Sequence, residues 1–259
     1  MNIKNISAVV FSPTNSTKEV VSKMATYFPL STEITDITAF SERNFEKTFS
    51  EEDLVIFAVP VYGGRVPSPA VERIKNIKGN KTPAVLIATY GNREYDDALL
   101  EMKNCIEKNG FTAIAAAAFI TEHSIMHSVA KGRPDDKDEK IIADFSKNLW
   151  DKINNSNDLI GSKIEVDGSF PYKEYGGVPL KPQSTKKCTK CGLCAKNCPV
   201  NAISANSPDI TNNEACISCM RCIKICPNNA RKLNGLMLAV AEKAFAKKNS
   251  ERKEPKLFL

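Results

Sequence analysis

No stretch of this 259-residue sequence approaches the ~18 consecutive apolar residues that a membrane-crossing helix needs, so no membrane partner is expected. The opening Met1-Asn2-Ile3-Lys4 lacks the apolar core of a secretory signal, which points to a cytoplasmic, reducing compartment. No G-x-G-x-x-G follows a strand-like run, so a nicotinamide site is not expected. Lys and Arg outnumber Asp and Glu by 36 to 30. They are dispersed, however, with modest clusters only within residues 181–196 and 247–256. That spread argues against nucleic acid and suits a solvated face or a steering surface for an acidic protein partner. No helix pair of DNA-binding type stands out either. What remains is an ordinary globular composition, 42% hydrophobic and 25% charged, in a chain long enough for at least two domains.

Nine cysteines are present, and eight of them write one word twice: Cys188-x-x-Cys191-x-x-Cys194-x-x-x-Cys198-Pro199 and Cys216-x-x-Cys219-x-x-Cys222-x-x-x-Cys226-Pro227. This run supplies ligands to cubane iron–sulfur clusters, where three thiolates come from a tight loop and the fourth from a remote segment. Zinc sites pair C-x2-C ligands across a longer spacer, and disulfides do not suit a reducing compartment. Residues 188–230 resemble bacterial-type ferredoxins with two 4Fe-4S clusters, down to the Pro199-Val200-Asn201-Ala202-Ile203 after the first run. The resemblance implies a small α+β domain with crossed ligand sets. Cys188, Cys191, Cys194 and Cys226 would hold one cluster, and Cys216, Cys219, Cys222 and Cys198 the other. The ninth cysteine, Cys105, lies among apolar residues at helical spacing and reads as a core thiol.

The N-terminal half alternates strand-like and helix-like segments. Residues 6–11 form a β-type run, followed by the hydroxyl-rich Ser12-Pro13-Thr14-Asn15-Ser16-Thr17 and a helical pattern over 18–27. Such a loop either cradles a phosphate at a helix N-terminus or simply caps the helix. Two further buried-strand patterns, 53–59 and 83–89, end in Pro60-Val61-Tyr62-Gly63-Gly64 and Thr89-Tyr90-Gly91-Asn92-Arg93-Glu94-Tyr95. Glycine beside tyrosine at the C-terminal edge of a parallel sheet suits a flat ring system. A strand over 111–119 and a helix over 135–152 complete a doubly wound pattern.

These loops resemble those of flavodoxin, over roughly residues 1–155. The resemblance implies a parallel sheet of order 2-1-3-4-5 that binds FMN. Ser12, Thr14, Asn15, Ser16 and Thr17 would take the phosphate. Pro60, Val61, Tyr62, Gly63, Gly64, Thr89, Tyr90, Gly91, Asn92 and Tyr95 would flank the ring. Asn15 stands where flavodoxins usually carry Gly. The whole chain resembles the flavodoxin–ferredoxin fusion proteins of anaerobic bacteria, in which Thr89-Tyr90-Gly91-Asn92-Arg93-Glu94-Tyr95-Asp96-Asp97-Ala98-Leu99 is a distinctive string. The organisation expected is a flavodoxin-like domain over 1–155, a linker over 156–185, a ferredoxin domain over 186–232, and a C-terminal helix and tail over 233–259. Phe170, Tyr172 and Tyr175 are too apolar for a free tether and should lie along a domain. An amphipathic pattern over 231–247, through Leu233, Leu236, Met237, Val240 and Ala244, should dock as a helix.

The function expected is electron transfer between FMN, two 4Fe-4S clusters and a redox partner protein, with no catalytic residue assigned. The alternative is an FMN-dependent reductase of a small molecule, with Tyr62, Tyr95 and His123 lining the pocket. His123 and His127 could move protons or hydrogen-bond a loop.

Overall fold

The computed structural model describes residues 3–156, 158–161 and 163–259. Along the chain run β1 (Asn5–Val10), α1 (Ser16–Ala25), β2 (Thr32–Asp36), β3 (Lys47–Phe49), β4 (Asp53–Pro60), α2 (Ser68–Ile74), β5 (Ile77–Gly79), β6 (Thr82–Tyr90), α3 (Ala98–Glu107), β7 (Phe111–Ile120) and α4 (Asp136–Asn155). A long connector leads to β8 (Gln183–Ser184), α5 (Leu193–Lys196), α6 (Arg221–Lys224), β9 (Arg231–Lys232), α7 (Gly235–Lys248) and β10 (Lys256–Phe258).

The main sheet has the order β10-β7-β6-β4-β1-β2. Counted along the chain, its five parallel strands lie 2-1-3-4-5, the flavodoxin-like doubly wound order, with the reversal between β1 and β4. β6 and β7 are buried at every residue because helices cover both faces. Alternation along each strand divides the core. Val9, Phe57 and Leu86 point to the layer holding Leu99, Met102 and Ile106 of α3, while Val10, Ile56 and Ile87 meet Val20 and Met24 of α1 and Phe145 and Leu149 of α4. Each fully buried aliphatic or aromatic side chain contributes about 1.5–3 kcal/mol. α4 starts from a capping box in which Asp135 and Asp138 take each other's backbone amides.

The sixth strand was not expected. β10, the last of the chain, pairs antiparallel with β7 through Lys256–Ala118, Leu257–Ala117 and Phe258–Ala116. Without it β7 would be an edge of unpaired amides and carbonyls flanked by alanines, a surface that invites aggregation. The tail is held by further bonds: Asn92 Nδ2 donates to the carbonyls of Asn249 (2.9 Å) and Glu251 (2.7 Å), and Arg252 pairs with Asp135 at 2.6 Å.

α7 docks, but of the positions expected from the sequence only Leu233, just before it, joins the contact. Leu238, Ala241, Phe245 and Ala246 pack against Ile125, Met126, Val129, Leu180 and Met220, while Leu236, Met237 and Val240 face outward. The helix therefore ties the loop after β7 to the cysteine segment.

Candidate functional site

The two cysteine runs fold as a pseudo-twofold pair. In each loop the residues flanking the second cysteine are left-handed: Lys190 and Gly192 (φ 55° and 76°) around Cys191, Ser218 and Met220 (φ 55° and 60°) around Cys219. After each fourth cysteine, Asn201 and Asn229 are left-handed too (φ 53° and 48°). The next amides turn back onto sulfur, Ala202 N to Cys198 Sγ and Ala230 N to Cys226 Sγ, both at 3.2 Å. One cavity is lined by Cys188, Cys191, Cys194 and Cys226. A second is lined by Cys198, Cys216, Cys219 and Cys222.

The donor chemistry of these cavities suits an iron–sulfur core. No three His, Cys, Asp or Glu groups among the described residues converge as a single metal ion would require, so the thiols ring a space and do not meet at a point. Burial pushes the Cys219 thiol up, and the Cys222 thiol up to about 12. Thiols so placed ionise on coordination, which deprotonates them outright. At Cys226 burial also raises the pKa but is outweighed by the amides of Ala230, Asn228 and Arg231, which lower it. Each cavity is also lined by an arginine, Arg221 in one and Arg231 in the other, whose buried Nε has no partner among the described residues. A buried donor left unpaired is costly, and cluster sulfur would accept from it.

The hydroxyl-rich loop sits at the strand-order reversal. Ser12 N donates to Thr38 Oγ1 at 2.6 Å, and Ser12 Oγ accepts from Lys18 N at 3.0 Å. Asn15, at φ 75°, makes no side-chain cap, so with Lys18 N taken by Ser12 Oγ the amides of Ser16 and Thr17 at the start of α1 remain for another acceptor. This loop opens onto a cleft of about 680 Å³. Thr14, Asn15 and Ser16 line one end; Ile125, Met220, Ile223, Leu233 and Leu238 provide apolar wall. Arg133, Lys224, Arg231 and Lys232 outnumber Glu19 and Glu122 around it. A phosphate at one end and a flat apolar ring along the wall fit that lining.

The second group of expected FMN residues is elsewhere. None of Pro60, Val61, Tyr62, Gly63, Gly64, Thr89, Tyr90, Gly91, Asn92 and Tyr95 lines the cleft. The connector and the tail occupy their loops. A Cβ at Gly63 (φ 61°) would collide with the Tyr175 ring, and one at Gly91 with His123. Tyr95 donates its hydroxyl to Asp167 (2.6 Å) and packs edge-on against Tyr90 at 5.6 Å. Asp97 accepts the amides of Ser169 (2.8 Å) and Lys173 (2.6 Å). Thr89 Oγ1 bonds Thr17 Oγ1 at 2.7 Å, Val61 N bonds the Thr89 carbonyl at 2.8 Å, and Asn92 serves the tail. Tyr62 is held high by burial, with Cys219, Tyr175 and Cys216 close enough to add to the effect. Of the aromatic anchors, Tyr172 accepts from Asn104 Nδ2 (2.7 Å) beneath the Arg65 guanidinium and Tyr175 covers Gly63, whereas Phe170 is 77% exposed.

His123 closes a loop: its Nδ1 accepts from the amides of Ile125 (3.2 Å) and Met126 (3.0 Å), and its ring meets Phe245 edge-on. It does not line the cleft; His127 does, paired with Glu122 at 2.8 Å.

Two arginines join the domains. Arg73 Nη2 donates to the Pro199 carbonyl at 2.6 Å, and Arg221 Nη1 reaches the carbonyls of Ser12 (3.3 Å) and Pro13 (3.5 Å) in the hydroxyl-rich loop. Sequence reading missed Arg73, Arg221 and Met220, because Arg73 lies outside any motif and Met220 and Arg221 are the unspecified positions of Cys219-x-x-Cys222. Only the contact between domains gives them a role.

The family model of the 4Fe-4S dicluster domain matches residues 182–243. The chain joins a flavodoxin-like α/β fold to a 4Fe-4S dicluster domain. An electron-transfer role follows from that pairing. No curated relative matches this two-part chain. Among solved structures, an archaeal flavodoxin is 10% identical, covering 59% of this chain and 100% of its own, with a TM-score of 0.38. A flavodoxin from Streptococcus pneumonia is 16% identical over 57% of this chain and 99% of its own (TM-score 0.41). An NAD(P)H:quinone oxidoreductase from Methanothermobacter marburgensis is 11% identical over 60% of this chain and 99% of its own (TM-score 0.34). No helix among the described residues of this flavodoxin-like and dicluster chain is long and apolar enough to cross a membrane.

Proposed function

We propose that the protein passes electrons between FMN in the cleft and two 4Fe-4S clusters, and exchanges them with a redox partner protein. FMN exchanges two electrons and can release them singly while each cubane carries one, so the pair converts two-electron into one-electron traffic. Thr14, Asn15, Ser16 and the first turn of α1 would hold the phosphate. Ile125, Met220, Ile223, Leu233 and Leu238 would flank the ring and exclude water from it.

One observation carries this reading. Met220 lines both the cleft and the cavity of Cys198, Cys216, Cys219 and Cys222, so one side chain separates the two spaces. Arg231 is shared in the same way between the cleft and the cavity of Cys188, Cys191, Cys194 and Cys226. Arg73 and Arg221 fix the spacing. On the outer side Cys191 is exposed, with Lys186, Lys187, Lys190 and Lys196 exposed around it in the sequence, a surface suited to an acidic partner.

Anaerobic reconstitution tests the proposal: about eight irons and one FMN per chain are expected, and a chain that takes up zinc alone, or binds no flavin, refutes it.

A further inference from the structure

The internal repeat has one conspicuous inequality. Cys198-Pro199-Val200-Asn201-Ala202-Ile203 and Cys226-Pro227-Asn228-Asn229-Ala230-Arg231 share the same left-handed asparagine and the same amide-to-sulfur bond. Position six of each segment lines the corresponding cysteine cavity and is 2% exposed. At this position one cavity meets the side chain of Ile203 and the other a guanidinium, while Arg221 reaches the first cavity from a different place in the repeat.

Arg231 has no carboxylate partner in any ion pair among the described residues. Its Nη1 donates to Thr211 Oγ1 at 2.5 Å, its Nη2 to the Pro208 carbonyl and toward Cys194 Sγ at 3.7 Å, and its buried Nε is unpartnered. A cation withdrawn from water is costly unless negative charge stands beside it. Here the negative charge available is that of the four thiolates and the core they bind. Adding one electron to that core makes its charge more negative by one, and a cation held close at low dielectric favours the reduced form.

We infer that Arg231 raises the reduction potential of the cluster held by Cys188, Cys191, Cys194 and Cys226. That set includes the exposed Cys191, placed to meet a partner. The inference rests on the proposal that both cavities hold clusters.

The experiment is a potentiometric titration of the full, anaerobically reconstituted chain with dithionite, read by electron paramagnetic resonance, for wild type, R231I, R231K and R231Q. R231I installs the residue of the other repeat. The midpoint potential of the cluster held by Cys188, Cys191, Cys194 and Cys226 is expected to fall by more than the other, since Arg231 also acts on Cys216 and Cys222, and R231K is expected to stay nearer wild type than R231I. Unmoved potentials in R231I with both clusters present overturn the inference alone; if R231I does not assemble its clusters, R231Q is judged by the same criterion. Wild-type protein without two clusters overturns the underlying proposal instead, as iron and sulfide analysis shows.

Discussion

Arg73 Nη2 lies 2.6 Å from the carbonyl oxygen of Pro199, the residue after Cys198. The same guanidinium donates from Nη1 to the carbonyls of Ile37 and Thr38, both at 2.7 Å, and the side chain is 2% exposed. A charge buried on main-chain acceptors alone holds the cluster loop to the α/β domain at a fixed place. Burial lowers its pKa, an effect that Glu72, Glu42 and Asp36 oppose only in part. Arg73→Met should leave three carbonyls without their donor and cost about 2–4 kcal/mol in denaturant unfolding. It should also speed proteolysis of the connector, which limited digestion measures. An unchanged midpoint and digestion rate would remove Arg73 from the joint.

The crossed cysteine cavities make a non-additive prediction. Cys198→Ala and Cys219→Ala should each leave about four irons, and the double substitution should lose no more than either single one. Cys198→Ala with Cys191→Ala should lose nearly all iron. Iron analysis after anaerobic reconstitution decides it; if Cys198→Ala instead removes the same cluster as Cys191→Ala, the ligand sets are uncrossed.

Asn15 holds φ 75° at the head of α1 without a side-chain cap. Asn15→Gly should preserve FMN binding, because glycine enters that region freely. Asn15→Val should cost about 1–2 kcal/mol there and weaken FMN binding roughly tenfold, followed by flavin fluorescence titration. Equal affinity in the two variants would separate the loop from FMN.

Burial, reinforced by His127 and Arg93 and opposed by Glu242, lowers the His123 pKa from 6.5 to about 4. A base depressed in the folded state stabilises the fold above its unfolded pKa, and that contribution is lost as pH falls from about 6.5 toward 4. The loss is of the order of 2–3 kcal/mol. His123→Gln should flatten this part of the stability–pH curve, measured by unfolding in urea; a slope that persists assigns it to another group.

Removal of residues 249–259 should expose the β7 edge along Ala116, Ala117 and Ala118. A lower melting temperature and aggregation by light scattering are expected. A monomeric truncated chain of unchanged melting temperature would show that β10 only decorates the sheet.

The sequence by itself determined the dicluster segment, through its repeated cysteine runs, and the parallel core, because cysteine spacing and unbroken apolar runs are local signals. β4, β6 and β7 announced themselves through buried residues in succession, and Cys188 to Cys226 through exact repetition of spacing. β2 did not, since Thr32–Asp36 is a half-exposed edge strand with little apolar periodicity. β10 was equally illegible: Lys256–Phe258 is strand only because β7 offers it a ladder. The glycine–tyrosine loops illustrate the limit most clearly. Gly63 and Gly91 do permit a close approach, but Tyr175 and His123 make it, while the cleft opens where Met220 and Ile125 meet. Which surface a permissive loop receives depends on segments more than a hundred residues away in the case of Gly63 and Tyr175, and packing between domains alone decides it.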